Sequence, residues 1–189
     1  MEHIATTSPP SDWVQRWAHL IRPNGTVLDL ACGHGRHMQF LAARGHPVLG
    51  LDRSSEALST AAAWGQVQQA DIENEAWPLV HNGQPRQFDA VVVTNYLWRT
   101  LFPVMLASLA PGGVLIYETF AAGNETVGKP SRPDFLLQPG ELLSAFPGLR
   151  VVAYEDGYLS ASPRFVQRLV AVKTELLPGA NHAPAQYPL

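Results

Sequence analysis

The 189-residue chain reads as an α/β protein built on a doubly wound, mostly parallel sheet. Three observations predict it. Short strand-like runs at 27–31, 48–52, 67–71, 88–94 and 114–119, apolar except for 67–71, alternate with helical segments of roughly 10 residues. The first run sets Val27, Leu28, Leu30 and Ala31 almost side by side, as in a strand covered on both faces. Two further β-rich runs, 150–159 and 165–174, flank a short polar link with Ser160, Ser162 and Pro163. They predict an antiparallel pair that closes a seven-stranded sheet.

Each element follows in order. Ser11 or Asp12 caps a short helix whose Trp13, Val14, Trp17, Leu20 and Ile21 form one apolar stripe, ended by Pro23, Asn24 and Gly25. That spacing suits a core helix, and an amphipathic helix here also suits the cover of a pocket. After the first strand, a helix at 36–44 stops at Gly45, and an alanine-rich helix occupies 54–63. The helix at 99–109 is closed by Ala110-Pro-Gly-Gly113. A long loop, 121–138, leads to a helix at 139–146 with Pro139 in its first turn. The pattern gives one domain, 12–176, between an N-terminal arm, 1–11, and a proline-containing tail, 177–189, both expected to be loosely ordered.

Composition narrows the function classes. Hydrophobic residues make up 46% of the chain, enough for one sizeable core. A net charge of −3 without any Lys/Arg run argues against nucleic acid, whose phosphates call for a basic surplus. The single cysteine, Cys32, excludes an internal disulfide. The opening residues have neither a basic n-region nor an apolar h-region, and no apolar run approaches the ~20 residues that span a bilayer. A soluble, cytoplasmic protein with a small-molecule partner is expected, as a monomer or homodimer.

The stretch Thr26-Val-Leu-Asp-Leu-Ala-Cys-Gly-His-Gly-Arg-His37 is a strand, a glycine turn and a helix start. Gly33 and Gly35 allow backbone to approach a ligand closely. Asp29 interrupts the apolar run and needs partners, for which the amides of the following turn are candidates. A dinucleotide fingerprint requires a third Gly or Ala where this chain has Met38, so NAD is the weaker reading. Asp52 ends the second strand about 20 residues on, where a carboxylate accepts ribose hydroxyls. The competing, weaker reading is a cap for the next helix, beside Ser54 and Ser55.

The sequence resembles the class I S-adenosylmethionine (SAM) dependent methyltransferases over 26–174. Their acidic-x-G-x-G-x-G motif appears as Asp29-x-Ala31-x-Gly33-x-Gly35, with Ala31 in place of the first glycine. Their F-D-x-V segment matches Phe88-Asp-Ala-Val91, and their L-x-P-G-G-x-L segment matches Leu109-Ala-Pro-Gly-Gly-Val-Leu115. Within the class, Gly-His-Gly-Arg-His and Gly-Lys-Pro-Ser-Arg-Pro-Asp-Phe-Leu-Leu look most like the tellurite-resistance (TehB-like) bacterial group. The resemblance implies a Rossmann-like fold and SAM as cofactor, with S-adenosylhomocysteine as its product. It places Asp29, Ala31, Cys32, Gly33, Gly35, His37, Asp52, Arg53, Asp71, Ile72 and Asn95 at the cofactor, with Asp52 on the ribose and Asp71-Ile72 on the adenine.

In open α/β sheets ligands sit beyond the carboxyl ends of the strands. That rule selects Asn95 to Arg99 and Glu118 to Phe120 for the acceptor. Glu118 is a candidate base and Tyr96 a candidate catalytic side chain, while Trp98 and Phe120 are candidate walls. Structural readings stand beside these: the aromatics as core packing, and Glu118 as a strand-end charge. Among cations that could hold an acidic acceptor, namely Arg99, Lys129, Arg132 and Arg164, position favours Arg99 and Arg132. His34 and His37 lack a third nearby ligand, so no metal is expected. Cys32 reads as a small buried residue. The acceptor stays open between O, N, S and another chalcogen, and two other readings share part of the pattern: a non-catalytic SAM-binding module and an NAD-dependent oxidoreductase.

Overall fold

The computed structural model describes residues 8–174 and 185–189. Seven strands form one sheet: β1 (Val27–Leu30), β2 (Val48–Asp52), β3 (Gln66–Gln69), β4 (Phe88–Thr94), β5 (Leu109–Phe120), β6 (Arg150–Leu159) and β7 (Arg164–Val172). Their spatial order is β3-β2-β1-β4-β5-β7-β6. The first five run parallel, and β7 runs antiparallel to both β5 and β6.

The near-continuous apolar runs of β1, β2 and β4 are buried on both faces. Leu28, Leu30, Leu51, Val91 and Val93 enter one core; Val27, Val48, Ala90 and Val92 enter the other. Helices α1 (Asp12–Trp17), α2 (Arg36–Ala42) and α3 (Ser55–Ala61) cover the second core with Trp17, Met38, Leu41 and Leu58. Helices α4 (Phe102–Ala107) and α5 (Glu141–Ala145) cover the first with Phe102, Met105 and Leu142. Trp13 and Trp17 are 2% and 1% exposed, so α1 is a core helix and not a pocket cover.

Several elements differ from the sequence pattern. The helices are shorter, because 3-10 turns take over at Ala18–Leu20 and Arg99–Leu101. Strand β5 starts at Leu109, which pairs with Phe88 before the register shifts to Ala90 and Val114. The Pro-Gly-Gly therefore lies in the irregular start of this strand, where a Cβ on Gly113 would stand 2.7 Å from the Ala110 carbonyl. A small ribbon, Val80–His81 with Gln84–Pro85, turns at Asn82 and Gly83, both at positive φ. Asn-Gly is a strong hairpin signal and could have been read.

The expected loose arm needs a correction over its described part. Residues 1–7 lie outside the described residues, but 9–11 are tied to the domain: Arg36 Nη1 donates to the Pro9 carbonyl at 3.3 Å and the Ser11 N–H donates to His37 Nε2 at 3.1 Å. Of the expected tail, 177–184 lie outside the described residues. Beyond them, the Arg150 guanidinium stacks 5.1 Å from the centre of the Tyr187 ring. Among the described residues no helix is long and apolar enough to cross a membrane.

Candidate cofactor cleft

Strand β1 pairs with β2 on one side and β4 on the other, so chain connections leave it in both directions. This is the switch point where a crevice opens beyond the carboxyl ends of the strands. The turn after β1, Asp52 at the end of β2, and Thr94 and Asn95 at the end of β4 all meet there.

The turn itself is shaped by backbone sterics. Ala31, Gly33 and Gly35 have φ of 54°, 53° and 81°. The first explains the motif's usual glycine, since alanine at positive φ costs roughly 1 kcal/mol. A Cβ on Gly35 would stand 2.9 Å from Ala61, so this glycine lets α2 and α3 approach. A Cβ on Gly33 would meet nothing within 4 Å, which leaves open space above the turn. The Gly33 N–H donates to Asp52 Oδ2 at 2.8 Å, and the Ser54 N–H donates to Oδ1 at 2.9 Å. Ser54 caps α3, so Asp52 joins the glycine turn to the next helix and does not itself cap it.

Two cavities adjoin at Ala31. One, of about 450 Å³, is bordered by Gly33, His34, Arg36, His37, Thr94 and Asn95. The other, of about 200 Å³, is bordered by Asp52, Arg53, Asp71, Ile72, Glu73 and Tyr96. Asp71 accepts from the Glu73 N–H and from Asn74 Nδ2, and these bonds hold its carboxyl below the usual range. Burial, then the nearby Glu73 carboxylate, push the Tyr96 phenol up, so it is neutral at physiological pH. Cys32 borders the larger cavity, and burial pushes its thiol up, away from thiolate chemistry.

Asp29 stands beneath the turn and is 1% exposed. It accepts the N–H of Met38 in the first turn of α2, where Gly35 as the N-cap has no side chain to do so. Its partner is thus a helix amide and not an amide of the glycine turn. Asp29 Oδ2 is left without a hydrogen-bond partner. Burial pushes the Asp29 carboxyl up to about 7, against the lowering influence of Arg36. His37 is also buried, and desolvation pushes its imidazole down to about 3. Because its Nε2 accepts from the Ser11 N–H, the ring proton is on Nδ1, 3.4 Å from Thr94 Oγ1. His37 borders the cleft while bracing the segment before α1.

Residues 27–113 match the family described as a methyltransferase domain. The match runs from β1 to the start of β5, the part of the sheet that frames the cleft. SAM is the cofactor this domain implies. A Bacillus subtilis (strain 168) relative, "Putative methyltransferase YqeM", is 30% identical over 131 residues, which cover 64% of this chain and 53% of the relative. The chain thus spans about half the length of the curated relative it matches. The crystal structure of TehB from Haemophilus influenzae superposes with a TM-score of 0.70 at 19% identity, covering 89% of this chain and 64% of that one. A SAM-dependent methyltransferase from Mesorhizobium loti superposes at 0.63 and 19% identity, covering 82% and 94%. These likenesses show the fold.

Not every residue expected at the site reaches the cleft. Glu118 is 0% exposed; it accepts from Ser11 Oγ at 3.2 Å and pairs with Arg164 at 3.2 Å and Arg168 at 2.5 Å. The expected base is instead a buried counter-ion that ties β5 to β7 and to the segment before α1. Arg99 holds Glu141 with two bonds, of 2.6 and 2.9 Å, and donates to the Asp134 and Leu136 carbonyls. It straps the 133–141 loop and is not free for a ligand. Arg132 pairs with Asp134 on the exposed surface. Trp98 packs against the first core, and the Phe120 carbonyl accepts from Leu137 as the loop leaves β5. None of these five borders either cavity. Among the described residues no three His, Cys, Asp or Glu side chains converge as a metal site.

The sequence reading missed Arg36 and Thr94 at the larger cavity. Arg36 was legible, as the residue directly after Gly35. Thr94 had its place at a strand end as a signal.

Proposed function

We propose that the chain transfers a methyl group from SAM to a small-molecule acceptor. The paired cavities about Ala31 carry this reading. Asp52, with two lone pairs beyond those used by Gly33 and Ser54, accepts the ribose hydroxyls. Ile72 and Tyr96 sandwich the base, and Asp71, an acceptor-only group, lies at its amino edge. On the other side of Ala31, Arg36 and Asn95 serve the amino-acid end in the larger cavity. The open space over Gly33 fits a ligand against the turn. Where Met38 stands, the thioether packs over Gly50 instead of leaving the close helix–strand contact of a dinucleotide site, which disfavours NAD.

SAM held there would supply a methyl already activated as a sulfonium, for transfer to a lone pair of the acceptor. The chain's contribution is alignment and exclusion of water. Among the described residues no carboxylate borders the larger cavity, and Glu118 is held by two arginines. The reading therefore favours acceptors that are already ionised or that lose a proton to water.

The test is turnover of methyl-labelled SAM against thiols, phenols, amines, carboxylates and oxyanions, and in cell extract. Labelled product is expected. SAM binding without product in any arm would instead support a non-catalytic binding module.

A further inference from the structure

A third cavity, of about 600 Å³, adjoins the larger one: Ser8 and Arg36 border both. One wall is Pro9, Pro10 and Ser11; the opposite wall is the β6–β7 turn with Tyr158 and Leu159. Arg36, Arg164 and Arg168 border it, against Asp12 as its carboxylate. The chain as a whole has a charge of −3, so this concentration of guanidinium is local and does not follow from composition.

The counter-ions do not use up these donors. Glu118 takes one Arg164 nitrogen and Arg168 Nε, and Glu155 takes Arg168 Nη1. Arg164 Nη1 reaches Asn95 Oδ1 only at 3.5 Å. Arg36 donates to one carbonyl, that of Pro9. A guanidinium with weakly used N–H groups is a ready partner for a carboxylate or phosphate.

Resting on the methyltransferase reading above, we infer that this third cavity is the acceptor site and that it takes an organic anion, a carboxylate or phosphate ester on an apolar body. The anion faces Arg164 and Arg36, and the body lies between the Pro9-Pro10 wall and Tyr158-Leu159. A bare oxyanion leaves those apolar walls uncovered. A neutral acceptor leaves the spare guanidinium N–H groups of Arg164 and Arg36 without a charged partner. The cavity opens to the cofactor cleft past Ser8 and Arg36, so the segment at 8–11 is part of the specificity wall and not a loose arm.

The test uses the full chain saturated with S-adenosylhomocysteine, titrated with 2-naphthoate, its neutral isostere 2-naphthamide, and sulfate. Saturation itself is measured first, so failure of cofactor binding is seen separately and the anion titrations are then read on the chain alone. Naphthoate is expected to bind about tenfold more tightly than naphthamide. Arg164→Gln removes most of that difference by weakening naphthoate alone, and Arg164→Lys, which keeps the pair with Glu118, restores part of it if the Gln variant folds poorly. Equal affinity for naphthoate and naphthamide, sulfate binding more tightly than naphthoate, or an unchanged preference in both variants would overturn the inference.

Discussion

The Gly33 N–H and Asp52 Oδ2 are 2.8 Å apart, so the glycine turn after β1 and the acid at the end of β2 form one unit. The bond fixes the turn at the edge of both cofactor cavities. Asp52→Ala removes the acceptor for Gly33 and Ser54 as well as the proposed ribose contact. S-adenosylhomocysteine affinity is expected to fall about 10- to 100-fold by calorimetry. Asp52→Asn, which keeps one acceptor oxygen, should fall between the two. An unchanged affinity in the Ala variant would remove Asp52 from the site.

Met38 and Gly50 are matched in size. A Cβ on Gly50 would meet the Met38 thioether and stand 2.7 Å from Cys32 Sγ. Gly50→Ala is expected to cost about 1–3 kcal/mol in chemical denaturation, as overpacking of a tight core does. Met38→Ala introduced into that variant should recover part of the loss. A double variant no more stable than the single one would show that the strain lies elsewhere.

The strand ends were legible in the sequence because a parallel sheet buried on both faces writes itself as apolar runs, and the residues that follow those runs must face one crevice. Asp52 and Asn95 follow from that rule, whereas Asp71 follows a polar edge strand, Gln66–Gln69, and rests on the family resemblance. Glu118 does not: β5 continues to Phe120, which puts Glu118 inside the strand, opposite Arg168 of β7. Nothing near Glu118 in sequence announces Arg164 or Arg168, because only the antiparallel pairing of β7 with β5 brings them together. Arg99 was misplaced for a similar reason. Its partner Glu141 lies 42 residues away, and the path of the intervening loop decides where that guanidinium points.

His37 has a folded-state value near 3, below the ordinary 6.5, so the native state resists protonating it. Its contribution to stability is present above pH 6.5 and is lost as pH falls from there toward 3. Between pH 6 and 8 its ring signals in NMR are expected to stay constant, with the proton on Nδ1. A midpoint near 6.5 would show that the Ser11 bond is not kept in solution.

Asp29 has the opposite sign. Its folded-state value of about 7 lies above the ordinary 3.8, so the native state binds the extra proton, and that stabilisation is lost as pH rises through 7. Asp29→Asn cannot ionise. Relative to the variant, the wild type is expected to lose about 2 kcal/mol between pH 5 and 8 in denaturant titrations. A constant difference across that range would mean that Asp29 keeps one protonation state throughout.

The central claim is that the paired cavities about Ala31 hold S-adenosylmethionine. Calorimetric titration of the chain with S-adenosylhomocysteine and, separately, with NAD tests it most directly. Saturable one-to-one binding of S-adenosylhomocysteine with no heat from NAD is the predicted result; binding of NAD with none of S-adenosylhomocysteine would contradict it.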